Sequence, residues 1–116
     1  MKFINCLLAV LVASSMFITP AFANYACRGE VKGVTISPDG QVFVASIGTL
    51  SWPRLCSVAI TENNVPPEAC KVIYSALLTA QTTGKEVSLS FNDSGDCNSH
   101  TAWGWLTGWY FGPVLD

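Results

Sequence analysis

The stretch Val65–Phe91, VPPEACKVIYSALLTAQTTGKEVSLSF, decides the fold. Val65-Pro66-Pro67-Glu68 has the marks of a helix start, because proline is tolerated in a first turn and an acid is favoured there. Ala69, Val72, Ile73, Ala76, Leu77 and Ala80 then recur at helical spacing and make one apolar stripe. Lys71, Ser75, Leu78, Thr79 and Thr82 fall outside it. Gly84 stands where a helix closes on a left-handed residue. From Glu86 the period drops to two, with Val87, Leu89 and Phe91 alternating with polar residues, which predicts a strand.

Upstream, three segments read as strands. Glu30–Ser37 carries Val31, then Val34 and Ile36, with a slip near Gly33. Pro38-Asp39-Gly40 is a turn, since proline presets one dihedral and glycine accepts the positive one. Gln41–Ile47 returns as the second half of a hairpin. Thr49–Ile60 is a third strand, bent or placed at an edge by Pro53. Downstream of the helix and its strand, Asn92–Thr101 is a polar loop. Ala102–Val114 reads as a fifth, aromatic-rich strand whose glycines mark bends.

The first residues set the compartment. Lys2 precedes an apolar run to Ile18, Pro20 breaks it, and Ala21-Phe22-Ala23 forms a small-residue cleavage site. Residues 1–23 therefore read as a secretory signal peptide, since the run is short of the ~20 residues that span a membrane. Residues 24–116 are the exported domain. Without Lys2 its formal charge becomes −3, from −2 for the whole chain. There is no basic block to hold phosphates, so a nucleic-acid partner is disfavoured. One histidine, no phosphate-binding glycine loop and no close cysteine pair leave no catalytic or metal constellation to name. No cofactor is implied, and the expectation is a protein that is not an enzyme.

Cys27, Cys56, Cys70 and Cys97 remain after Cys6 is removed, an even count that reads as two disulfides in an exported small domain. Their number alone leaves the connectivity open. Strand order narrows it. Three strands, one helix and two strands is the chain order of an OB-fold, a five-stranded Greek-key barrel. There the first strand starts near the end of the fourth, and the helix starts near the end of the third. That arrangement favours Cys27–Cys97 and Cys56–Cys70.

The run Tyr74–Leu89, YSALLTAQTTGKEVSL, with Gly29-x-Val31, Pro38-Asp39-Gly40, Cys56 and Cys70, resembles the B subunits of subtilase-type cytotoxins and their secreted relatives. The likeness covers most of residues 27–97 by order and spacing. It implies an OB-fold, a homo-pentamer, with a monomer as the alternative, and non-catalytic binding of cell-surface glycans. This chain departs from the toxin subunits in the polar residues with which they hold sialylated sugars, for which it shows no match.

Candidate binding residues follow from residue type. Trp109 and Tyr110 offer aromatic faces for sugar C–H groups or a subunit contact. Tyr25 and Arg28, with Glu30, sit where the barrel opens. Trp103 and Trp105 are expected to fill the core by alternation. Asp93, Asp96 and His100, with Asn92 and Asn98, are expected to form a self-bonded polar turn rather than a cation site. Asn92-Asp93-Ser94 is an N-x-S acceptor sequence. The rival function is an exported structural or inhibitory domain with a protein partner.

Overall fold

The computed structural model describes residues 24–116. The expected signal peptide, residues 1–23, lies outside them. Six strands and one helix follow in chain order: β1 (Tyr25–Ile36), β2 (Gln41–Ile47), β3 (Leu50–Ser51), β4 (Arg54–Ser57), α1 (Pro67–Thr83), β5 (Glu86–Phe91) and β6 (Trp109–Leu115). The sheet runs β3-β2-β1-β5-β6, with β4 also paired to β2. All its ladders are antiparallel.

β1 is the spine of the sheet. Its first half, Tyr25 to Glu30, pairs with β5, and its second half, Val31 to Ile36, pairs with β2. The strand therefore starts earlier than the apolar pattern from Glu30 suggests, because residues 25–30 take their order from β5. The register with β2 is the same on both sides of Gly33, but Gly33 itself takes φ 71 and the inward-facing positions change from odd to even there, which is the expected slip. Where β1 changes partner, its backbone crosses Gly48 closely. A Cβ on Gly29 would overlap the Gly48 backbone, which only two facing glycines allow.

The third expected strand breaks into β3 and β4 at Trp52-Pro53, where Trp52 takes φ 47. The fifth shortens to β6. Residues 102–108 turn instead of extending, with Trp103 at φ 68 and Gly108 at φ 80. That turn leaves the sheet open. A lone parallel bridge, Arg54 to Trp105, is what joins the turn to β4.

The helix starts at an N-cap Pro66 and ends at Gly84, φ 73, whose N–H bonds the Ala80 carbonyl. It buries Cys70, Leu77 and Ala80, with Ile73 and Tyr74 packed against the core. Val72 does not join them and is 69% exposed. At about 100° per residue it lies roughly 140° around the helix from Leu77, on the outer flank. Leu78, expected outside, is half-buried. The rest of the core is aliphatic around one aromatic ring, with Val42, Val44, Ile47, Leu55, Val87, Leu89 and Phe91 fully buried.

Two disulfides fasten these parts. Cys27–Cys97 ties β1 to the loop after β5, and Cys56–Cys70 ties β4 to the first turns of α1. Both fit an oxidising compartment. No helix among the described residues is long and apolar enough to cross a membrane.

Candidate groove beside Trp109 and Tyr110

A groove of about 610 Å³ opens between the start of α1 and the start of β6. That is the size range of sites that hold a small ligand. Its helix side is Pro66, Ala69 and Ile73, and its strand side is Trp109 and Tyr110. Asn63, Asn64 and Asn92 supply amides at its ends. Asn63 and Asn64 both hold left-handed backbone, φ 55 and 60, which asparagine tolerates better than most residues. This turn is fixed from below: the Asn63 amide donates to the Leu55 carbonyl at 3.0 Å and the Leu106 carbonyl at 3.1 Å.

Trp109 packs against the core while lining the groove, and its Nε1–H is buried without a hydrogen-bond partner. A buried donor left unmade costs free energy until an acceptor reaches it. Tyr110 is 54% exposed and tilts against Phe111, itself 60% exposed, on the outermost strand. None of the side chains lining the groove is charged at neutral pH.

Next to the groove lies a hydrogen-bonded cluster. Tyr25 Oη donates to Asp93 Oδ1 at 2.7 Å and stands 2.9 Å from His100 Nε2, which assigns the imidazole proton to Nε2. The Tyr25 ring stacks on Phe91 at 5.0 Å, and His100 tilts onto the same ring at 4.6 Å. Burial and the bond to Asp93 push the Tyr25 phenol well above its ordinary value. The same bond holds the Asp93 carboxyl below its usual range, with the Gly95 N–H and His100 assisting. Asp93 thus remains an anion that accepts the tyrosine proton bond, and Tyr25 is the opposite of an activated phenol.

The loop after β5 closes on itself. Asp93 Oδ1 accepts from the Gly95 N–H at 3.1 Å, and Asp96 Oδ1 accepts from the Asn98 N–H at 2.8 Å. These are Asx turns. Among the described residues no group of three or more His, Cys, Asp and Glu side chains is placed to hold a metal ion.

The structure thus brings Trp109 and Tyr110 into one groove, and sets Tyr25 beside it through Asp93, the neighbour of Asn92. Arg28 is elsewhere. Its Nε bonds Glu86 at 2.9 Å and its terminal nitrogen approaches Asp116 at 3.2 Å, on the β5 side of β1. The two tryptophans expected in the core are not there. Trp103 is 53% exposed and Trp105 is half-buried, because the turn at residues 102–108 sends Leu106 inward in their place. Trp103 stacks on Trp52 at 4.3 Å, and Arg54 lies 4.6 Å over Trp105 while donating to the Trp103 carbonyl.

Sequence reasoning missed Asn63 and Asn64. Two asparagines ahead of Val-Pro-Pro are a turn signal, but nothing in their spacing announces that the turn faces Trp109. Comparison of the chain with known protein families, with curated proteins and with solved structures finds no match.

Proposed function

We propose that the protein is an exported, non-catalytic binding module that takes cell-surface glycans, built on an OB-fold-like barrel. The observation that carries this reading is the Trp109–Tyr110 groove, which combines aromatic faces with uncharged amides. Sugars ask for that combination: apolar C–H faces to stack and hydroxyls to accept and donate. The resemblance to toxin B subunits points the same way. So does the Tyr25–Asp93 bond, which stabilises the neutral phenol and leaves it unprimed for proton transfer.

Export rests on the leader-like residues 1–23 and on two disulfides that fit an oxidising space. The barrel reading is supported by the parallel bridge Arg54–Trp105, which sits at the one seam a five-stranded barrel would need to close. Assembly is either the homo-pentamer implied by resemblance or a single chain, which light scattering distinguishes by mass.

Protein recovered from an exporting host and applied to a printed glycan array should bind a defined subset of glycans. Those glycans should be recovered with unchanged mass. An array without signal, or glycans returned cleaved, would contradict the reading. One observation favours the rival protein-partner function: Tyr110, Phe111 and Val114 are exposed together on the edge strand β6, a row suited to pairing with another chain. A silent array combined with a stable protein complex from the exporting host would move the conclusion there.

A further inference from the structure

We infer that the Trp109–Tyr110 groove selects neutral glycans and rejects those ending in sialic acid or another anion; this rests on the glycan-binding reading above. The ground is the distribution of charge around the groove. Anionic sugars need a cation or a set of free backbone N–H groups to replace the water they give up. The groove's side chains offer no cation.

Four of the five lysines and arginines among the described residues have partners elsewhere, and the fifth, Lys85, follows the far end of α1 and does not line the groove. Arg28 is held by Glu86 and Asp116, Lys32 by Glu30 and Lys71 by Glu68. Arg54 spends its guanidinium on the Trp103 carbonyl and on the rings of Phe43 and Trp105. No lysine or arginine lines the groove.

A helix start usually attracts anions, and α1 begins at this groove, so that attraction has to be weighed. Here it is blunted twice. Pro66 and Pro67 have no N–H to offer and the Cys70 N–H already bonds the Pro66 carbonyl at 3.0 Å, which leaves only the Glu68 and Ala69 N–H groups at this helix end. Glu68 places a carboxylate in the same first turn.

The charge that does approach is negative. The Asp93 carboxylate lies hard against Gly108, a groove residue, and its hydrogen bonds keep it ionised. A sialic acid carboxylate would enter against Asp93, with no lysine or arginine in the lining as counter-charge. A neutral sugar meets the same wall as a set of acceptors and amides.

The test uses matched pairs of printed glycans, each with and without its terminal sialic acid, probed with the wild-type protein and Tyr110→Ala. Expected is binding to the neutral member at least about tenfold stronger than to its sialylated partner. That binding should hold steady from about 0.05 to about 0.5 M salt, as charge-independent recognition requires. Tyr110→Ala should lose at least about tenfold on the neutral member while its melting temperature stays within a few degrees, since the side chain is more than half exposed. Equal or stronger binding to sialylated members, or neutral binding that survives Tyr110→Ala, would overturn the inference while leaving glycan binding intact. Silence on every glycan would instead remove the reading beneath it.

Discussion

Tyr25 carries a proton that Asp93 keeps for it, and this sets the pH range over which the loop after β5 is held. Asp93 has a folded value below its ordinary 3.8, so its contribution is fully present above that pH. The contribution is lost as pH falls through the folded value. Tyr25 has a folded value above its ordinary 10.0, so its contribution is complete below pH 10 and fades as pH rises further. His100 and Asp96 are the other titratable groups that face this pair. Thermal melts should therefore be flat between about pH 5 and 9 with respect to this pair and fall at both ends. Tyr25→Phe should remove its share of the alkaline fall and weaken the acid one. An alkaline limb unchanged in Tyr25→Phe would show that burial and the bond to Asp93 do not raise the phenol in solution.

Gly29 makes a second prediction at the same scale. Any Cβ there meets the Gly48 backbone, and backbone cannot rotate aside as a side chain can. Gly29→Ala should cost about 1–3 kcal/mol by overpacking, read as a lowered denaturation midpoint. At an exposed site such as Thr79 the same small change in volume should pass almost unnoticed.

Elements show how far the sequence could be read. The α1 stripe and the alternation of β5 are period signals, and each needs only its own residues to be legible. Their ends were legible too, since two prolines and a left-handed glycine act locally. The start of β1 and the break in β3–β4 were not, because partners decide them: β5 orders residues 25–30, and the turn at residues 102–108 takes the place of a pairing strand. Trp103 and Trp105 looked like core for the same reason. Alternation assigns faces only once the segment is known to be extended. The site was half legible. Trp109 and Tyr110 stood out by residue type, whereas Asn63 and Asn64 reach the groove only through tertiary folding.

The disulfides belong to this scale. Cys56 and Cys70 are wholly buried and close a short loop, while Cys97 is only half-buried and its bond closes a loop of about seventy residues. In the chain-entropy account these are worth about 3 and about 4 kcal/mol. Mild reductant should open Cys27–Cys97 first, because attack on a disulfide requires access to a sulfur. Mass mapping of alkylated cysteines at partial reduction would check the order. Capture of Cys56 and Cys70 ahead of Cys97 would contradict it.

On the scale of the whole molecule, charge is scarce and absent from the groove lining, and the exposed aromatics gather on β6 and around Trp52–Trp103. Two aromatic surfaces therefore compete for the role of binding site. The Trp52–Trp103 stack is tied down by Arg54 and by the Trp103 N–H bond to the Trp52 carbonyl, so it fastens the turn at residues 102–108 to β4. The groove has no such structural task for Tyr110. Chemical-shift mapping of the protein against a neutral glycan chosen from the array separates the two most directly. Perturbations should centre on Asn64, Asn92, the Trp109 indole N–H and Tyr110, leaving Trp52, Trp103 and Arg28 unmoved; perturbations centred on Trp52 and Trp103 with a silent Trp109 indole would contradict the account.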